Sequence, residues 1–190
     1  MAQAPSDDQE LLRQLAKGKQ AAFNACYERY QGPIYRFAWH MSGSQSNAEE
    51  VTQEVFLRLI DNPRKYDPAK GSLAGYLFGI ARNVLRRQMG TRWLDVPLED
   101  ELAGGDDLEL AIETDVLSEL DRREKLELLQ KSIVALPTPY REALILCDLE
   151  EVSYPQAAAI LNCSPGTIAS RLHRARAMLK SRLKKMGCVR

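Results

Sequence analysis

Hydrophobic residues recur at every third or fourth position along most of this 190-residue chain, a spacing that predicts amphipathic α-helices. In the first half, we expect helices that begin near Leu11 and Phe23, a third helix capped by Asn47, and a fourth over Leu73–Met89. Residues 61–72 are rich in Pro, Gly and Asp and therefore predict a loop. No segment alternates polar and apolar residues in the way that indicates a β-strand. The pattern therefore predicts an all-α protein.

A polar segment rich in acidic residues divides the chain into two parts. Residues 94–118 carry proline, glycine and many carboxylates, which is the composition of a linker. A helical pattern runs over residues 108–136, and Pro137 breaks it before three closely spaced helices. We therefore expect two small helical domains, residues 1–93 and residues 119–190, joined by an acidic linker at residues 94–118.

The last two predicted helices have the lengths and the separation of a helix-turn-helix. They cover residues 153–162 and residues 164–183. Ser153 and Gln156 have the spacing of a capping box at the start of the first helix, and Ser164 has the position of an N-cap at the start of the second. We therefore expect the second domain to carry a helix-turn-helix that binds DNA.

The final helix separates its apolar residues from its polar and basic ones. Its inward stripe recurs at helical spacing and consists of Ile168, Leu172, Ala175 and Leu179. The other faces of its first turns carry Thr167, Ser170, Arg171, His173, Arg174 and Arg176. A capped helix with such side chains at its front has the composition of a helix that reads the major groove.

The formal net charge of zero, from 26 basic and 26 acidic residues, conceals a strong segregation of charge along the sequence. No acidic residue follows Glu151, whereas basic residues are frequent there. Four arginines stand from Arg82 to Arg92 with no acid among them, and the acidic segment lies between these two basic blocks. Two basic blocks separated by an acidic one indicate two contacts with nucleic acid.

The composition argues against several other classes of protein. No apolar run approaches the ~20 residues that a membrane-spanning helix needs, and the polar N-terminal segment lacks the features of a secretory signal. The four cysteines are scattered without metal-binding spacing, so we expect reduced thiols in a cytoplasmic protein with no metal and no cofactor. Only two histidines occur and no nucleophile–base pair is evident, so we assign no catalytic residues and expect no enzymatic activity.

Two long motifs closely resemble the extracytoplasmic-function sigma factors, a compact branch of the sigma-70 family. The first motif consists of NAEEVTQEVFLRLI at residues 47–60 and GYLFGIARNVLRRQ at residues 75–88. The second motif is LPTPYREALILCDLEEVSYPQAAAILNCSPGTIASRLHRARAML at residues 136–179. The motifs occur in the family's order across the acidic linker, and the resemblance extends from Asp8 to Leu183.

The resemblance implies an alternative sigma factor, which binds core RNA polymerase, directs it to specific promoters and promotes initiation, here as part of a stress response. An anti-sigma factor, either soluble or membrane-anchored, is implied as an inhibitory partner. By resemblance, residues 1–93 correspond to sigma region 2 and residues 119–190 to sigma region 4. The core polymerase-binding residues would then be Glu49, Glu50, Gln53, Glu54, Phe56 and Leu57. The acidic and amide side chains would face basic polymerase residues, and the other two would supply apolar contact.

The resemblance also implies two DNA-binding surfaces. The −10 element would be recognised and melted by Lys70, Ser72, Tyr76, Arg82, Asn83, Arg86 and Arg87. The −35 element would be recognised by Thr167, Ser170, Arg171, His173, Arg174 and Arg176. The family usually has Trp at the position of Tyr76, so Tyr76 is either a stacking residue or a core residue. Ala169 stands where the family often has Lys or Arg, which removes one expected DNA contact.

Two other functions are compatible with parts of the sequence. A helix-turn-helix regulator whose first half senses a ligand or dimerises would explain the second motif, but not the first motif or the basic block. A sigma mimic that sequesters an anti-sigma factor would explain both motifs, although such mimics usually lose the basic residues that read DNA. Binding to core polymerase excludes the regulator, and new transcripts exclude the mimic.

Overall fold

In a computed structural model of the protein, residues 5–67, 71–93 and 119–186 are described, and their regular secondary structure is entirely helical. The first domain consists of α1 (Pro5–Leu15), α2 (Gln20–Ser42), α3 (Gln45–Asp61) and α4 (Leu73–Met89), with 3₁₀ turns at Pro63–Lys65 and Gly90–Trp93. The second consists of α5 (Glu119–Val134), α6 (Thr138–Leu144), α7 (Tyr154–Leu161) and α8 (Pro165–Lys185), with a π-helical turn at Ile145–Leu149 after α6. The all-α prediction is confirmed, and the predicted linker at residues 94–118 lies outside the described residues.

The first domain is organised around α2, the longest of its helices. Phe37 and Met41 of α2 are fully buried in the core that α2 forms with α3 and α4. Phe37 meets Phe78 of α4 edge to face, with ring centroids 5.4 Å apart, an arrangement that the quadrupoles of the two rings favour. Leu59 of α3 and Leu77 of α4 complete this core.

The second domain buries its apolar side chains between α6, the π-helical turn, α7 and α8. The predicted inward stripe of α8 is buried, as expected from its spacing, at Ile168, Leu172, Ala175 and Leu179. Between α7 and α8, Asn162 has a φ of 54°, a left-handed conformation that Asn adopts more readily than most residues. This tight turn joins the two helices into the predicted helix-turn-helix.

Three of the predicted helix caps lie in the described residues. The Oγ of Ser164 accepts a hydrogen bond from the N–H of Thr167 at 3.0 Å, which confirms Ser164 as the cap of α8. Ser44 rather than Asn47 caps α3, because the Oγ of Ser44 accepts from the N–H of Asn47 at 3.3 Å. The capping-box prediction is wrong for Ser153, which precedes α7 but makes no capping hydrogen bond with its side chain.

The two domains lie directly against each other. Arg141 of α6 donates from a terminal guanidinium nitrogen to the carbonyl oxygen of Met41 at 2.8 Å. This carbonyl lies in the last turn of α2, where backbone carbonyls lack partners within the helix and attract a cation. Nearby, a Cβ built on Gly43, the left-handed C-cap of α2, would lie 3.2 Å from Val134 of α5, so glycine permits both the turn and the close approach.

Candidate nucleic-acid and protein interfaces

The acidic residues predicted to bind polymerase lie on the outer face of α3. Three of these polar side chains are exposed, those of Glu49, Glu50 and Gln53. Glu54 is half-buried, pairs with Arg58 at 2.8 Å and approaches Arg87 of α4 at 3.5 Å. The hydrogen bond from Arg58 is the main cause that lowers the pKa of Glu54. Glu54 is therefore engaged within its own domain, whereas the other three side chains face solvent.

The apolar residues at the centre of α3 differ sharply in exposure. Phe56 is only 3% exposed, and its ring packs against that of Tyr27 of α2 with the centroids 4.8 Å apart. This burial contradicts the predicted role of Phe56 as a polymerase contact, because the ring fills the space between α2 and α3. Leu57, by contrast, is 56% exposed, and Ile60 one turn later is 46% exposed. Ile60 is not among the residues predicted to bind polymerase, so sequence reasoning missed its contribution to this apolar patch.

A cavity of about 750 Å³ lies beside the loop that precedes α4. Its walls include Tyr66, Ser72, Tyr76 and Asn83 of the first domain, together with part of α7. The rings of Tyr66 and Tyr76 have centroids 5.6 Å apart, and the hydroxyl of Tyr66 donates to the carbonyl of Gly71 at 2.8 Å. Aromatic rings beside amide and hydroxyl groups can stack on an unpaired base and form hydrogen bonds with it.

Sequence reasoning missed Tyr66, because it stands in a loop that has no periodicity to single it out. Tyr76 both lines the cavity and packs against the core, so its position is compatible with both roles predicted for it. Partial burial raises the pKa of both phenols, which therefore remain hydrogen-bond donors at neutral pH. Ser72 caps α4 by accepting from the N–H of Gly75 at 3.1 Å, and Lys70 lies outside the described residues.

The polar residues of α4 predicted to bind DNA fall into two groups. Asn83, Arg86 and Arg87 are exposed. Arg82 is largely covered, with 18% of its side chain exposed, and its Nε donates to Oε1 of Glu142 in α6 at 2.5 Å. The guanidinium of Arg82 therefore contacts the other domain. The side chains of Asn83 and Arg86 face solvent, and the exposed side chain of Arg87 lies beside the edge of α3.

At the front of α8, Ser170 and His173 are the most open of the predicted DNA-binding side chains. Both residues are exposed, and the Oγ of Ser170 donates to the carbonyl of Thr167 at 3.0 Å. The hydroxyl of Thr167 lies 2.9 Å from the Oγ of Ser164, so this half-buried threonine shares in the helix cap. Arg174 is half-buried one residue beyond His173. The front of α8 thus presents an imidazole and hydroxyl groups on a capped helix terminus.

The other two arginines of α8 are held against their own domain. Arg176 donates from two guanidinium nitrogens to the carboxylate of Asp148, at 2.9 Å and 2.7 Å, and this bonding raises the pKa of Arg176. The Nε of Arg171 is buried without a hydrogen-bond partner in the described part of the chain. A terminal nitrogen of Arg171 lies 4.0 Å from the sulfur of Cys163. For both residues, these contacts favour packing against their own domain over the predicted contact with the −35 element.

The described residues offer no arrangement for metal binding. Within residues 5–67, 71–93 and 119–186, no group of His, Cys, Asp and Glu side chains is placed to hold a metal ion. Burial raises the pKa of the thiols of Cys26 and Cys147 to about 11, so both are protonated and weakly nucleophilic at neutral pH. In the same ranges, every helix is too short or too polar to cross a membrane.

Two family models match this chain, one in each domain. The model of sigma-70 region 2 matches residues 26–94, and the model of sigma-70 region 4 matches residues 126–179. The sigma factor SigW of Bacillus subtilis, an ECF RNA polymerase sigma factor, is 31% identical over 178 residues, which cover 91% of this chain and 95% of SigW. The ECF sigma factor SigE of Mycolicibacterium smegmatis is 33% identical over 178 residues, which cover 90% of this chain and 66% of SigE.

A solved structure has the same fold over most of its length. It is the sigma factor RpoE of Bartonella quintana, crystallised in complex with the anti-sigma factor NepR. The TM-score is 0.64 at 28% sequence identity, and the match covers 85% of this chain and 96% of RpoE. Both matched regions, the identity to the sigma factors and the shared fold lead to one conclusion: the chain belongs to the extracytoplasmic-function sigma factors of the sigma-70 family.

Proposed function

We propose that this chain is an alternative sigma factor that binds core RNA polymerase, directs it to specific promoters and promotes initiation. The observation that carries the proposal is the succession of the two matched regions, sigma-70 region 2 at residues 26–94 and region 4 at residues 126–179. Residues 1–93 and 119–190 form the corresponding domains, with residues 94–118 as an acidic linker. The polymerase supplies the chemistry, so the chain needs no catalytic residue, metal or cofactor of its own.

The outer face of α3 suits a basic partner surface on the polymerase. The carboxylates of Glu49 and Glu50 and the amide of Gln53 are exposed, and all three can accept hydrogen bonds from Arg or Lys. Leu57 and Ile60 place an exposed apolar patch on the same helix. Desolvation of the apolar patch supplies affinity, while the carboxylates orient the encounter and exclude wrong partners.

The cavity beside α4 suits an unpaired base of the −10 element. Extruding a base costs a few kcal/mol, and stacking it on an aromatic side chain returns about 1–3 kcal/mol. Tyr66 and Tyr76 supply aromatic faces, and Asn83 supplies an amide at the wall of the cavity. Arg86 and Arg87 are exposed farther along α4, where they can contact the backbone phosphates of the single strand.

The front of α8 suits the −35 element in double-stranded form. His173 and Arg174 are the proposed base contacts, and Ser170 and Thr167 complete the polar front of the helix. One good bidentate contact to a base contributes about 1–3 kcal/mol of discrimination. Arg171 and Arg176 hold the helix in position, because their guanidinium groups contact their own domain.

An anti-sigma factor, soluble or membrane-anchored, is the proposed inhibitory partner. The support is the relative from Bartonella quintana, which is 28% identical and was crystallised with the anti-sigma factor NepR. Inhibition would act in the cytoplasm, where a bacterial sigma factor meets its polymerase. Copurification from the native host tests this part of the proposal: we expect a dedicated inhibitor, and its absence would contradict it.

Run-off transcription tests the central proposal. Fragmented genomic DNA is transcribed by purified core polymerase with and without this protein, and we expect new start sites that share −35 and −10 elements. The matched negative control is a Leu57→Arg variant, which alters the proposed polymerase contact. Leu57 is exposed, so its replacement leaves the core intact. Failure to bind core polymerase would overturn the proposal. Tight binding without new transcripts would favour the sigma mimic instead.

A further inference from the structure

The cavity beside α4 has walls from both domains. The part that α7 contributes consists of Pro155, Gln156, Ala159 and Ile160. The volume of about 750 Å³ lies within the range of about 300–1,000 Å³ that is typical of small-molecule sites, and such sites are frequent at the boundary between domains. The −10 role proposed above uses residues of the first domain alone, so it does not account for the wall from α7.

Two glycines of α4 leave space along the wall of this cavity. Gly75 and Gly79 both line it and stand one helical turn apart. A Cβ built on Gly79 would meet no atom from another part of the described chain within 4 Å, so the helix backbone is open to the cavity at this point. Glycine is less favourable than alanine inside a helix, but it allows a flat ligand to lie close to the backbone.

Two tyrosine rings in the wall provide a surface on which a planar base can stack. Tyr66 and Tyr76 have ring centroids 5.6 Å apart and ring planes inclined at 59°, so the rings do not cover each other face to face. The hydroxyl of Tyr66 donates to the carbonyl of Gly71 at 2.8 Å, which holds this ring in position. Every nucleobase has a π-face, so such rings accept any of the four bases.

Side-chain amides in the walls from both domains can bind the edge of the same base. Asn83 is exposed on α4, Gln156 is exposed on α7, and both line the cavity. An amide both donates and accepts hydrogen bonds, which is the combination that the edges of bases require. A ligand that contacts both amides therefore bridges the first domain and α7.

Basic side chains at the same cavity can bind a phosphate group. Arg58 and Lys65 line it together with the carboxylate of Asp67, so these charged side chains give a net positive charge. Glu54 lies 2.9 Å from the Nε and 2.8 Å from one terminal nitrogen of Arg58, which leaves the other terminal nitrogen for a ligand. Phosphate oxygens accept strong hydrogen bonds from guanidinium and ammonium groups. The cavity therefore combines groups for a base with groups for a phosphate.

We propose that this cavity is a binding site for a free nucleoside monophosphate, held between the first domain and α7. The base stacks on the two tyrosines, its edge meets the amides of Asn83 and Gln156, and the phosphate binds Arg58 and Lys65. The inference rests on the base-binding role proposed above for the cavity. A nucleotide bound there occupies the rings that the −10 base requires, so the nucleotide and single-stranded DNA compete for this sigma factor.

Isothermal titration calorimetry of the full-length chain with AMP, GMP, CMP and UMP tests the site directly. We expect saturable binding with one site per chain. Adenosine lacks the phosphate and should bind about tenfold more weakly than AMP, the effect of losing a hydrogen bond to a charged group. Inorganic phosphate lacks the base and should also bind more weakly than AMP. The absence of saturable binding for all four nucleotides would overturn the inference.

Two variants and a control locate the bound nucleotide. Tyr66→Leu removes a stacking ring, and Gln156→Ala removes the amide of α7. We expect Tyr66→Leu to weaken AMP binding about tenfold and Gln156→Ala to weaken it about fivefold, the effects of losing one stacking contact and one hydrogen bond. Gln45→Ala alters an exposed residue of α3 outside the cavity and should match the wild-type protein, and circular dichroism confirms the helical content of each variant. Equal affinities of the wild-type protein and Gln156→Ala would show that the nucleotide does not contact α7, and the inference would be wrong.

Competition with DNA separates failure of this inference from failure of the proposed −10 site. The fluorescence anisotropy of a labelled single-stranded 12-mer of mixed sequence is measured with and without AMP at about ten times its dissociation constant, and AMP should weaken 12-mer binding about tenfold. If Tyr66→Leu weakens 12-mer binding but AMP does not compete, the −10 site stands and the inference is wrong. If AMP binds through Tyr66 and Gln156 but Tyr66→Leu leaves 12-mer binding unchanged, the nucleotide site stands and the −10 role of the cavity is wrong.

Discussion

Arg176 of α8 and Asp148 of the π-helical turn form a doubly hydrogen-bonded ion pair, with nitrogen–oxygen distances of 2.9 Å and 2.7 Å. The pair ties the proposed DNA-reading helix to the π-helical turn after α6, 28 positions earlier in the chain. The guanidinium is thereby oriented toward its own domain. We therefore infer that Arg176 is a positioning residue, although it stands on the same helix as His173 and Arg174.

Arg176→Gln should weaken binding to a −35 duplex by a similar factor for matched and mismatched sequences. The physical reason is that it loosens the helix rather than removing a base contact. The side chains of Arg176 and Asp148 are 40% and 26% exposed, so we expect a coupling of only about 0.5–1 kcal/mol in a double-mutant cycle on unfolding. His173→Ala is the contrasting variant and should alter discrimination at one base pair. A loss of discrimination in Arg176→Gln would identify it as a base reader instead.

The two serines before α7 and α8 offer a matched pair for measuring a helix cap. Ser164 accepts from the N–H of Thr167 at 3.0 Å, whereas Ser153 makes no capping hydrogen bond with its side chain. We expect Ser164→Ala to lower the free energy of unfolding in urea by about 1 kcal/mol. Ser153→Ala should have a clearly smaller effect. Equal effects would mean that the hydrogen bond to Thr167 contributes nothing beyond the helix-start preference of serine.

Substitutions at two neighbouring residues of α3 should distinguish effects on folding from effects on binding to polymerase. Phe56 is buried against Tyr27, so Phe56→Ala should lower the free energy of unfolding by about 3–5 kcal/mol. Leu57 is 56% exposed, so Leu57→Ala should change stability by less than about 0.5 kcal/mol. The same change should weaken binding to core polymerase by about 1–2 kcal/mol, measured by titration of labelled protein. Wild-type affinity in Leu57→Ala would place the polymerase contact elsewhere on the chain.

A basic residue can be introduced at Ala169, where the family often has Lys or Arg. Ala169 is exposed on the proposed DNA-reading helix, so Ala169→Arg can add a phosphate contact without a clash in the core. We expect tighter binding to a −35 duplex and a plot of log K against log salt that is steeper by about 0.9. Ala21→Arg adds the same charge at an exposed position on α2 and serves as the control. Equal gains in both variants would indicate a general effect of charge rather than a contact at α8.

The parts of the fold that depend on local sequence could be predicted. The bounds of α4 agree with the predicted Leu73–Met89, because a serine cap precedes the helix and a glycine with positive φ follows it. The inward stripe of α8 was likewise evident from its spacing. Phe56 and Leu57 show the limit of this reasoning, since both are apolar and adjacent. Periodicity did not show which of them faces the core once α2 packs beside α3.

Contacts between distant parts of the chain could not be predicted. Arg82 and Glu142 stand 60 positions apart, and Arg36 and Glu150 stand 114 positions apart, so no periodicity connects them. Counting charges correctly located two basic blocks, but it could not show that some of those arginines are paired with acids of the same chain. Which cations remain available for DNA is a property of the packed domains.

His40 should make the stability of the packed domains depend on pH. Its Nδ1 donates to the side-chain oxygen of Gln130 in α5, and Gln130 donates to the carbonyl of Trp39 at 3.1 Å. Burial is the main cause that lowers the pKa of His40 below its ordinary value of 6.5, and the nearby cation of Arg36 lowers it further. A histidine with a lowered pKa in the folded state contributes stability above pH 6.5 that is lost as the pH falls through the folded-state pKa.

We therefore expect the free energy of unfolding to fall between pH 7.5 and pH 5.5, with His40 contributing up to about 1.4 kcal/mol per pH unit to the slope. His40→Gln keeps a hydrogen-bonding side chain toward Gln130 but cannot titrate, so it should flatten this dependence. His173→Gln makes the same replacement at an exposed position on α8 and is the matched control. Urea titrations of the three proteins across this pH range measure the difference. Parallel curves for wild type and His40→Gln would show that the buried imidazole does not link protonation to domain packing.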